Sequence, residues 1–72
     1  MRFEIDIAHD ENEKIVFDNM LVVKFTENGP AGGNPCYILD GSEESFYEWC
    51  IDTGYYDPEE FDKEEIISIH KI

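Results

Sequence analysis

Ser42-Glu43-Glu44-Ser45-Phe46-Tyr47-Glu48-Trp49-Cys50-Ile51-Asp52-Thr53-Gly54 is the stretch that decides the fold. Phe46, Trp49, Cys50 and Thr53 recur at i, i+3, i+4 and i+7, the spacing of one buried face on an α-helix. Ser42 supplies an N-cap, and Glu43 and Glu44 suit the positive end of the helix dipole. Gly54 fits the position just past the last turn, where a left-handed residue ends a helix. The helix predicted over 43–53 leaves another row outside. Glu44, Glu48 and Asp52 fall at i, i+4 and i+8, about 6 Å apart along the axis.

Upstream, Phe3, Ile5 and Ile7 alternate with Arg2, Glu4 and Asp6, the period of a half-buried strand. His9 to Glu13 is a polar turn. Ile15, Phe17, Leu21, Val23 and Phe25 then share one phase, broken at Asn19. That phase predicts one long strand with a bulge near Asp18-Asn19, or else two strands folded at an Asp-Asn turn. The continuous phase favours the long strand. Asn28 to Pro35 is a Gly- and Pro-rich loop, followed by a short strand at Cys36-Tyr37-Ile38-Leu39 that Asp40-Gly41 ends.

Downstream, Asp57-Pro58-Glu59-Glu60 reads as a second helix start, with Asp57 as cap and Glu60 closing a capping box. β-Branched Ile66-Ile67-Ser68-Ile69-His70-Lys71-Ile72 reads as a closing strand. The expected architecture is α+β. A small antiparallel sheet of three to four strands, in the order β-β-β-α-short α-β, carries one main helix packed on one face. At 72 residues this is a single domain.

The composition excludes several functions. Eighteen Asp and Glu against five Lys and Arg give a net charge of −13. Eleven of the acids lie between Asp40 and Glu65 with Lys63 as the only base, so that stretch carries −10. Phosphate backbones and anionic lipid repel such a chain, which disfavours direct binding to nucleic acid or membranes. The first residues lack the apolar core of a signal peptide, and no apolar run approaches the ~18 residues of a membrane span. A cytoplasmic protein is expected. At 42% hydrophobic, with ten aromatic residues, the chain has enough core to fold.

Catalytic and metal motifs are missing. The loop at 29–33 has neither the GK[ST] ending of a P-loop nor G-x-G-x-x-G spacing, and reads as a hairpin connection. His9, His70, Cys36 and Cys50 form no close ligand pair for zinc, and no window matches a calcium-binding EF-hand. Cys36 and Cys50 read as buried thiols, with a 36–50 disulfide as the alternative. The expectation is therefore a non-enzyme with neither cofactor nor metal. A hydrolase ranks last.

What remains is the acidic stretch. Like charges at i, i+4 destabilise a helix by roughly 0.2–0.5 kcal/mol per pair, yet no base is interspersed among Glu44, Glu48 and Asp52. Tyr55 and Tyr56 lie between that row and Asp57, Glu59, Glu60, Asp62, Glu64 and Glu65, offering aromatic anchors with a charged rim. A merely solvated face is the plain alternative, with both tyrosines helping to close the core. The functional expectation is a partner-binding surface for a basic nucleic-acid-binding protein of the host. In size and charge only, the chain resembles phage-encoded inhibitors of restriction, CRISPR or repair enzymes. The rival expectation is an adaptor or homodimer that assembles through a sheet edge, with strand 66–72 as the edge.

Overall fold

The computed structural model describes residues 1–29 and 33–72, the side chain of residue 13 excepted. Three strands, β1 (Arg2–Asp6), β2 (Leu21–Thr26) and β3 (Cys36–Asp40), form an antiparallel sheet in the order β1-β3-β2. Two helices follow, α1 (Glu43–Asp52) and α2 (Lys63–His70). The fold is α+β, as the residue patterns imply.

β1 pairs with β3 through Phe3 opposite Leu39 and Ile5 opposite Tyr37. These four side chains share the face that meets the helices, and all four are buried. α1 forms for the reasons its sequence gives. Ser42 Oγ accepts the Ser45 backbone N–H at 3.0 Å, and Phe46, Trp49 and Cys50 are buried. Gly54 takes φ +77° and turns the chain away from the helix. Thr53 departs from the expected buried face. It is exposed and satisfies its hydroxyl by donating to the Trp49 carbonyl at 2.7 Å. The Phe46 ring lies flat on Phe3, 4.4 Å between centroids and 5° between planes.

The closing strand expected at 66–72 is instead mostly helix. In α2, Ile66 and Ile67 are buried and His70 is half-buried, whereas Ser68 and Ile69 are exposed. That is a helical face, and no alternating strand would produce it. β-Branched residues cost a helix only a few tenths of a kcal/mol each, so tertiary burial overrides the propensity. The cap also moves. Asp62 Oδ1 accepts the Glu65 N–H at 2.8 Å and starts α2. Asp57 accepts from the Glu59 N–H at 2.9 Å and closes only a turn, so no helix begins at Pro58. The strand character survives only at the chain end. There Lys71 bridges Phe3, and the Ile72 N–H donates to the Arg2 carbonyl at 3.0 Å.

The long strand expected over 15–26 is also corrected. Only Leu21–Thr26 is strand, because Asn19 at φ +60° breaks the extended run. The bulge exists, but at Val23, where the register with β3 shifts between Val22 and Lys24. Ile15 and Phe17 pack against the core from a crossing segment. Phe17 lies 4.9 Å from the Tyr37 ring and 5.0 Å from Trp49, and the Trp49 indole N–H donates to the Val16 carbonyl at 2.8 Å. Residues 30–32 of the Gly-rich loop lie outside the described residues. The hairpin it closes is visible in the β2–β3 pairing and in the Gly29 N–H donating to the Asn34 carbonyl at 2.9 Å.

The two aspartates give a direct test of where α2 starts. Asp62→Ala should cost about 1 kcal/mol in urea unfolding, the usual loss for a helix N-cap. Asp57→Ala should cost distinctly less, since it caps no helix.

Candidate functional site

α1 buries one side and turns Glu44, Glu48 and Asp52 to solvent, all three exposed. Among the described residues none of them has a cationic partner within ion-pair distance. Glu48 and Asp52 line a shallow groove with Val16, Asp18, Asn19 and Ser45. Asp18 therefore joins the row from 30 residues upstream of Glu48. No local pattern in the sequence marks it, because only the crossing of residues 15–19 beside α1 brings it there.

The remaining acids divide by task. Glu59, Glu60, Glu64 and Glu65 are exposed. Asp57 and Asp62 are exposed as well, but each holds a backbone N–H and so builds the chain path around the surface. Glu64 faces the cleft between the helices, lined with Glu43, Lys63, Ile67 and Ser68. Both nearby lysines are engaged in this cleft. Lys71 pairs with Glu43 at 3.1 Å, and the Lys63 ammonium lies 6.0 Å from the centre of the Tyr47 ring. The cleft thus interrupts the negative surface, leaving the outer row of α1 on one side.

Tyr55 and Tyr56 sit in a different environment from the acids around them. Tyr55 packs 5.8 Å from Trp49 and 5.1 Å from Tyr56, and its hydroxyl donates to the Asp6 carbonyl at 2.9 Å. Tyr56 is half-buried, 5.0 Å from Phe61 and 5.5 Å from His70. His70 must donate from Nδ1 to the Glu4 carbonyl at 2.7 Å, because a carbonyl only accepts. Its other ring nitrogen, Nε2, is hydrogen-bonded to the Tyr56 hydroxyl. This network ties the 54–56 turn, α2 and β1 together at one end of the core. Tyr55 keeps an accessible edge, whereas Tyr56 is largely committed to packing.

Burial sets the few perturbed groups. The Cys50 thiol is pushed from 9.0 up to about 12 by desolvation. Cys36 rises to about 11, first through burial, then through its hydrogen bond with Asp6 and the negative charge of Glu4 and Asp6. Tyr55 rises from 10.0 to about 12, chiefly through burial, with Tyr56 and Asp6 adding to it. Both cysteines are free and buried. Neither thiol is poised to act as a nucleophile, since nucleophilic cysteines need a lowered pKa and access to solvent.

Among the described residues no group of three or more His, Cys, Asp or Glu side chains could hold a metal ion. None of the described helices is long and apolar enough to cross a membrane. Comparison with protein-family models, curated proteins and solved structures finds no match to the chain.

Two outcomes follow from this geometry. Cys50 and Tyr55 ionise less readily folded than unfolded, so the stability they contribute is complete below about pH 9 and is lost as pH rises towards 12. Equilibrium unfolding followed across pH 8–12 should show that decline, with Cys50 reacting with a thiol reagent only as the protein unfolds. Separately, Glu48→Lys turns two repulsive i, i+4 pairs, with Glu44 and Asp52, into attractive ones. It should raise stability by about 1 kcal/mol in the same assay, and a neutral or negative change would show that the row is not strained.

Proposed function

We propose that this protein is a small acidic inhibitor, of the kind phages and mobile elements encode, that occupies the basic nucleic-acid groove of a host nuclease, CRISPR, restriction or repair protein. The observation that carries this reading is the exposed row Glu44, Glu48 and Asp52, without a cationic partner among the described residues. A surface serving stability alone gains from mixed-sign pairs. A row of one sign keeps its field available for a partner.

The physics of the contact is electrostatic. A polyanion entering a cationic groove releases the counterions bound there, as a phosphate backbone does. The α1 row repeats about every 6 Å, against a phosphate about every 3.4 Å of axis per strand, so the imitation is of charge and coarse shape. Asp18, Glu59, Glu60, Glu64 and Glu65 extend the field, and the accessible edge of Tyr55 supplies the aromatic contact. Tyr56 takes a supporting part, holding the turn that presents Tyr55. The protein acts without catalysis and in the host cytoplasm.

Capture of host proteins on the immobilised chain at low salt, with elution by rising salt, should yield a basic nucleic-acid-binding protein. Its affinity should fall linearly on a log–log plot against salt, and nucleic acid should compete with it. Replacing Glu44, Glu48 and Asp52 together with Lys should weaken the complex about ten- to a hundredfold. Binding that ignores both salt and the triple substitution would overturn the reading.

A further inference from the structure

β2 departs from the pattern of the other elements. Leu21 is 73% exposed, Val22 47%, Val23 44% and Phe25 45%, and Val16 on the approach to the strand is 68% exposed. The cause is visible in the layers. α2 packs on β1, and α1 places Phe46 on Phe3 of β1, so the helices lie towards the far side of the sheet. β2 is also a sheet edge whose one neighbour is β3. The other edge is partly closed by the Lys71 bridge and the Ile72 hydrogen bond to β1. An exposed apolar edge strand is a template for pairing with another chain.

Charge and pattern together select the occupant. β2 contains Lys24 and no acid, a net +1. β1, β3 and α2 each carry one net negative charge (His70 neutral), and α1 carries four. In a molecule of net charge −13, β2 is therefore the element on which another strongly acidic chain can close with least repulsion. The register also makes the strand symmetric about its bulge. Leu21 and Thr26 pair with Asp40 and Cys36 on the sheet face away from the helices, and Val22 and Phe25 pair with Leu39 and Tyr37 on the helix face. At the centre Lys24 lies opposite Ile38, and Val23 is the extra residue of the bulge, without a partner in β3. Read from either end, the faces follow the same order. A strand palindromic in this way is self-complementary across a two-fold axis, which an isologous dimer requires.

We propose that β2 pairs antiparallel with β2 of a second copy, joining two three-stranded sheets into one of six strands. The axis stands perpendicular to the sheet between Val23 and Lys24. Val22 of each chain then meets Phe25 of the other on the helix face, and Leu21 meets Thr26 on the opposite face. Lys24 of each chain lies opposite Val23 of the other, so the two Lys24 side chains flank the axis as the one like-charged pair within the paired strands. Salt screens that pair and the repulsion between two chains of −13, so self-association tightens as salt rises. This is the opposite sign from the salt dependence of a complex with a basic partner, which keeps the two ideas separable.

Sedimentation equilibrium of the intact chain up to about 1 mM, at several salt concentrations, measures the association directly. The expected result is a monomer–dimer equilibrium that tightens with salt, with slower amide exchange at residues 21–26 as the dimer forms. Val22 is half-exposed, so Val22→Glu should leave the circular dichroism spectrum unchanged while weakening the dimer about tenfold or more, because the substitution counts twice across the axis. Leu21→Glu serves as a second variant should the first disturb the fold. A chain that stays monomeric throughout overturns the proposal, as does a dimer that both variants leave intact. Binding of either variant to a basic partner bears only on the charge-mimicry reading.

Discussion

The flat stack of Phe46 on Phe3 is the contact the rest of the structure depends on. A chain of this size buries only about 60% of its unfolded surface, so it has room for one apolar layer between sheet and helices. Phe3 and Phe46 lie at the centre of that layer, both wholly buried, with Leu39, Ile66 and Cys50 sealed around them. Once α1 is laid on β1 in this way, its wheel is fixed. Trp49 must turn towards Phe17 and Val16, and Glu44, Glu48 and Asp52 must turn outward. The acidic row is thus a consequence of where one aromatic ring sits.

The sequence was most legible where local pattern and tertiary burial agree. β1 alternates because one of its faces is buried, and α1 carries its cap, its buried triplet and its terminal glycine in consecutive residues. It was least legible where two patterns compete. Ile66 to Ile72 has strand composition, but the segment lies against β1 and α1 and buries Ile66 and Ile67 from a helix that Asp62 caps. The D-x-x-E signature was present twice, at Asp57-Glu60 and Asp62-Glu65, and residue type alone could not choose between them. In Ile15 to Phe25 the shared phase was real, yet it did not mark a common buried face. Ile15 and Phe17 pack from a crossing segment, while Leu21, Val23 and Phe25 stay exposed on the edge strand.

The candidate surface was legible in part. Exposure of the α1 row followed directly from helix geometry, and so did the absence of a compensating base along it. Two features depended on long-range folding instead. Asp18 reaches the row only because residues 15–19 cross beside α1. The tyrosines between the acid clusters looked like anchors, but the turn after Gly54 carries them inward, where Tyr56 and His70 hold α2 to β1. A Tyr-Tyr pair after a helix cannot reveal from sequence which ring faces a partner and which faces a neighbour.

The charged surface and the apolar edge constrain each other. A surface rich in carboxylates keeps copies apart through most approaches, so an apolar strand can stay exposed with little risk of indiscriminate assembly. The bulge at Val23 and the charge on Lys24 add to this protection, since both are devices that blunt sheet edges. They also restrict the geometries in which the edge can be satisfied. A continuous sheet formed about a perpendicular two-fold keeps its two helix layers on the same side. The α1 rows of both copies would then lie on the same side of a common sheet. For a partner whose cationic groove is long, two such rows on a rigid platform engage together, and the second contact benefits from the effective concentration set by the first. Pairing at the edge would in this way turn a short anionic row into a longer one without adding a residue.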